Sequence, residues 1–72
     1  MLTSMRLAKY EDERDNEELI ALVVADMQEP VTSILEAVLV GEGFDEASRM
    51  VMRLSKIVHH STVAIEENLL RG

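Results

Sequence analysis

Between Leu19 and Val40 the apolar residues of this chain recur with a helical period. Ile20, Val24, Met27, Val31, Ile34 and Val38 follow one another at steps of 4, 3, 4, 3 and 4. Among regular structures only a helix puts positions so spaced on one side, and the spacing is that of a heptad seam. Leu19, Val23, Leu35 and Leu39 widen the stripe beyond what one partner helix covers. Asp15-Asn16 reads as an N-cap, which places Glu17 and Glu18 where the helix dipole favours negative charge. Pro30 removes a backbone donor, yet Met27 to Val31 is still one regular step of the seam. The pattern therefore predicts one helix kinked at Pro30, not two short helices divided by a loop.

Gly41-Glu42-Gly43 predicts the stop, because glycine takes the left-handed conformation that closes a helix. Asp45 or a nearby backbone group then caps a second helix, with Glu46 in its first turn. Its seam is Phe44, Ala47, Val51, Leu54, Val58, Ser61 and Ile65, and Met50, Ile57 and Ala64 form a parallel row one face over. Arg71 and Gly72 suit its C-terminal end. So short a connection makes the two helices antiparallel neighbours.

Two helices with stripes this wide cannot cover each other, and a monomer rarely tolerates a large apolar flank. The expected fold is all-α: an antiparallel helical hairpin, its first helix kinked at Pro30, dimerising into a four-helix bundle. The expected interface comprises Ile20, Val24, Met27, Val31, Ile34 and Val38 with Met50, Val51, Leu54, Ile57, Val58 and Ile65. In shape alone this architecture resembles the dimeric hairpins of small plasmid RNA-modulating proteins and the hairpin chaperones of bacterial secretion systems. The hairpin domain spans 17–72. Residues 1–16 are an N-terminal segment, either a short helix capped by Thr3 or Ser4 through Met5, Leu7 and Tyr10, or a frayed tail.

At 72 residues the chain has room for one domain, whose core alone is a marginal source of stability. With no cysteine, neither a disulfide nor a thiolate zinc site is open to it, which leaves oligomerisation or a partner. Hydrophobic residues make up 47% of the chain and aromatics only 3%, a balance that favours helix over sheet. A formal charge of −7 argues against wholesale binding to nucleic acid or anionic lipid and fits a cytoplasmic protein. The longest apolar run, Leu19 to Ala25, is too short to span a membrane. It follows acids where a secretory signal would carry bases.

His59 and His60 are the most tempting chemical feature. Adjacent helical residues point about 100° apart, and neither histidine has a second histidine or cysteine one turn away, so the pair does not chelate a metal. A phospho-accepting role would want an acidic neighbour, and the neighbours are Val58 and Ser61. Two partly exposed histidines flanking the seam is the better reading. Arg49, Arg53, Lys56 and His60 lie at i, i+4, i+7 and i+11 and form a candidate polar contact stripe. Such a row can track phosphates, but no aromatic interleaves with it. A solvated basic face, or one paired with acids such as Glu17, Glu18 and Glu36, explains it as well. Residues 11–18 carry six carboxylates against one arginine, the pattern of a solvated helix start or a charged docking tail.

No glycine-rich phosphate loop and no nucleophile with a base at readable spacing is present, so neither enzymatic activity nor a cofactor or metal is expected. The expected function is that of a regulatory or adaptor protein acting by protein–protein contact, as a homodimer or with a helical partner. The alternatives are a nucleic-acid-associated modulator using the basic stripe, and a dedicated chaperone for a helical partner.

Overall fold

The structure, a computed structural model, describes residues 9–71. Thr3, Ser4, Met5, Leu7 and Gly72, which carry expectations about the chain ends, lie outside the described residues. A helical segment at 9–12 precedes two long helices, α1 (Asn16–Val40) and α2 (Phe44–Arg71), and no strand occurs among the described residues. The fold is all-α.

Local chemistry sets these limits. Asp15 is extended, with φ −91° and ψ 113°, and its side chain accepts the Glu17 N–H at 3.0 Å, which satisfies an orphan donor of the first turn. At the other end Gly41 turns left-handed, φ 81°, and its N–H closes on the Ala37 carbonyl at 2.8 Å. Gly43 repeats the left-handed turn, φ 82°, and its carbonyl accepts the Ala47 N–H at 3.0 Å. A backbone group, not the Asp45 side chain, therefore starts α2. Between these caps α1 passes through Pro30 without interruption. The ring of Pro30 is fully buried.

The two long helices pack on each other, and the start of α1 lies beside the end of α2. Asn68 donates from its amide to Asn16 Oδ1 and to the Glu13 carbonyl, both at 2.9 Å. Half-way along, Arg53 meets Glu29 at 3.6 Å. The row of α1 that makes this contact is Leu19, Val23, Asp26, Pro30, Ser33 and Ala37, all buried or half-buried. On α2 it is Ala47, Met50, Leu54, Ile57, Ser61, Ala64 and Asn68. Both rows keep the heptad steps, but on α1 the row sits one residue, about 100°, away from the more apolar seam.

Small residues explain that choice. Ala37, Ala47, Ser61 and Ala64 are buried at the contact, and side chains this short let helix axes approach closely. The polar members are all provided for. Ser61 Oγ donates to the Val58 carbonyl at 3.1 Å, and every buried side-chain nitrogen and oxygen among the described residues has a partner. The core is compact: Tyr10, Leu19, Ile57 and Ala64, with Leu22, Val23, Met27 and Ile65 packed around them.

Candidate functional site

Because the contact takes the less apolar row of α1, the more apolar seam is turned outward. Ile20, Val24, Val31 and Val38 of α1 and Val51 and Val58 of α2 are between 38% and 65% exposed. Met27, Ile34, Met50, Leu54 and Ile65 are half-buried, and Ile57 is buried in the chain's own core. The residues expected at an interface thus divide by environment. Ile57 belongs to the core that joins the two helices, whereas the six exposed residues stand on an open apolar face and Met27 and Leu54 lie between them. Phe44, Leu35 and Leu69 extend that face.

Its centre is a shallow groove between the helices, lined by Met27, Val51, Leu54, Ser55, Val58, His59 and Thr62. Charge is absent from much of its surroundings. Between Leu19 and Val40 the only charged residues are Asp26, Glu29 and Glu36. At about 100° per residue these three lie within roughly 80° of one another. About half the circumference of α1, carrying Ile20, Val24, Gln28, Val31, Leu35 and Val38, therefore has no charge over five turns.

The opposite side of the interhelical contact is polar and closed. There Tyr10 enters the core at 1% exposure, and its hydroxyl donates to Asp26 Oδ2. Lys9 Nζ bridges the same carboxylate, 2.8 Å from Oδ2 and 3.0 Å from Oδ1. Burial first, and then the hydrogen bond to Asp26, raises the Tyr10 hydroxyl well above its usual pKa. Burial alone would raise Asp26 as well, but the hydrogen bonds from Lys9 and Tyr10 outweigh it and hold the carboxyl below the ordinary range. Arg53 adds positive charge nearby. The cluster fastens residues 9–12 to α1 on the side away from the groove.

The basic stripe also lies away from the groove. Arg49, Arg53, Lys56 and His60 project about 140–180° around α2 from Val51 and Val58. Arg49 pairs with Glu46 one turn earlier and Arg53 with Glu29. The expected carboxylates Glu17, Glu18 and Glu36 make neither pair. Glu17 and Glu18 sit in the first turn of α1, level with the far end of α2, and Glu36 is level with the start of α2. His59 and His60 meet edge to face, ring centroids 5.3 Å apart, with His59 at the groove's margin. Among the described residues no group of three histidine or carboxylate side chains is placed to hold a metal.

Sequence reasoning missed the Lys9–Tyr10–Asp26 cluster. A signal for it exists: Asp26 is the one charge in the stretch Leu19 to Gln28, and a lone acid in an apolar run needs partners.

No family model, curated protein or solved structure matches the chain. No helix among the described residues is long and apolar enough to cross a membrane, so this apolar surface is not explained as a transmembrane segment.

Proposed function

We propose that the protein is a non-enzymatic regulatory or adaptor module. In this reading α1 and α2 act as a helical hairpin whose open apolar face pairs with a second copy to form a four-helix bundle. The observation that carries it is the outward placement of Ile20, Val24, Val31, Val51 and Val58 on one uncharged surface. Monomers rarely leave a contiguous apolar patch of this kind in water. The face spans about 30 Å along the helices, at 1.5 Å per residue, and about 20 Å across two packed helices. That is roughly 600 Å² in projection on each copy, or about 1,200 Å² for two, the lower edge of stable interfaces. Partner contacts beyond the dimer would fall on its polar exterior.

Light scattering on the purified chain tests the reading, with a mass of two chains expected. Val24→Asp tests the face. Val24 is half exposed within one chain, so the helices should survive by circular dichroism. Burying one unpaired carboxylate costs about 3 kcal/mol and a dimer buries two, so association weakens by about four orders of magnitude. Lys56→Ala, on the far side, should leave the mass unchanged. A well-folded single chain at tens of micromolar would sink the proposal. Tight, salt-sensitive binding of duplex DNA or structured RNA that depends on Arg49 and Arg53 would favour a nucleic-acid modulator instead.

A further inference from the structure

We infer that the second copy docks antiparallel, α1 against the partner's α1, about a two-fold axis that crosses α1 beside residue 29. This rests on the self-pairing reading above and specifies its geometry. Two layers of two helices can meet face to face with two-fold symmetry in two ways. With the axis along the helices, α1 lies on the partner's α2 and like ends coincide. With the axis across the helices, α1 lies on the partner's α1 and opposite ends coincide.

The outward seam of α1 is its own complement in the second arrangement. Centred on residue 29, Ile20 faces the partner's Val38, Val24 faces the partner's Ile34, and Met27 faces the partner's Val31. Each outer layer then holds one isoleucine and one valine, so side-chain volume is even along the seam. The uncharged half of α1 leaves no like charge to be buried against its copy.

Charge at the ends decides in the same direction. At the end where α1 starts and α2 finishes, Glu13, Asp15, Glu17, Glu18, Glu66 and Glu67 outnumber Arg14 and Arg71 by six to two. At the other end Glu36, Glu42, Asp45 and Glu46 outnumber Arg49 by four to one. An axis along the helices stacks the two strongly acidic ends together. An axis across them separates those ends by about 37 Å, the length of 25 residues of helix, which is several Debye lengths at physiological salt. The antiparallel docking is therefore the one the charge distribution favours.

Because the chain has no cysteine, single cysteines test the geometry in the otherwise unchanged chain. Ile20→Cys and Val38→Cys are made separately, and each is checked for a two-chain mass by light scattering under reducing conditions. The expected result is a disulfide-linked pair only when the two variants are mixed. Within either variant alone the like positions lie about 27 Å apart along the axis. Nitroxides on Gln28→Cys and on Leu39→Cys, both exposed, give a second reading that does not disturb the seam. The first pair should be close and the second separated by about 30 Å along the axis. A two-chain mass with Ile20→Cys linking to itself, or with equal nitroxide distances at 28 and 39, overturns the antiparallel docking and leaves self-pairing intact. A single-chain mass for the natural sequence overturns both.

Discussion

Asp26 takes Lys9 on both carboxylate oxygens and the Tyr10 hydroxyl on one. The two titrating groups act at opposite ends of the pH scale. The folded pKa of Asp26 lies below its ordinary 3.8, so its stabilisation is present above that value and is lost as pH falls through the lowered one. Tyr10 is raised above its ordinary 10.0, so its contribution is complete below pH 10 and is lost as pH rises beyond it. Tyr10→Phe removes the hydroxyl and should cost about 1–2 kcal/mol at neutral pH, read from urea unfolding at fixed protein concentration. It should also flatten the loss of stability between pH 10 and 12, and an unchanged alkaline slope would contradict the assignment. The cluster was poorly legible in the sequence because Lys9 and Asp26 are seventeen residues apart. Only the fold, not any local period, brings residues 9–12 against the middle of α1.

The ends of α1 and the run through Pro30 were legible, because capping and phase are local properties. Asp15 and Gly41 act where the pattern put them. Gly41→Ala tests the stop. Nothing lies within 4 Å of the position a Cβ would occupy, so the penalty is purely that of a left-handed backbone. A loss of about 1–2 kcal/mol by urea unfolding is expected, with far-ultraviolet helicity otherwise retained. Which row of each helix faces the other was not legible. The two candidate rows of α1 differ by one residue, and apolar content alone favours Ile20, Val24 and Val31 for the inside. The choice turned instead on small residues at Ala37, Ala47, Ser61 and Ala64, and on satisfied polar groups at Asp26 and Asn68. Periodicity ranks rows by oiliness, whereas packing ranks them by how closely two backbones approach.

For the whole molecule, an open apolar face on a two-helix core would couple folding to the self-pairing proposed above. If the natural chain pairs, its melting temperature should rise with protein concentration, since mass action stabilises the associated form. Differential scanning calorimetry across a hundredfold range of concentration checks this, and a concentration-independent transition would speak for a self-sufficient monomer. The molecule also supplies a reporter for such work. Tyr10 is its one phenol and it has no indole, so near-ultraviolet absorption above the phenylalanine bands comes from a single ring. That ring is held in the core against the Asp26 carboxylate, on the far side of α1 from the open face. An ionised phenol absorbs at longer wavelength than a neutral one. An alkaline titration followed by absorbance alone would therefore display the attachment of residues 9–12 without any label, and without touching the surface on which a second copy would sit.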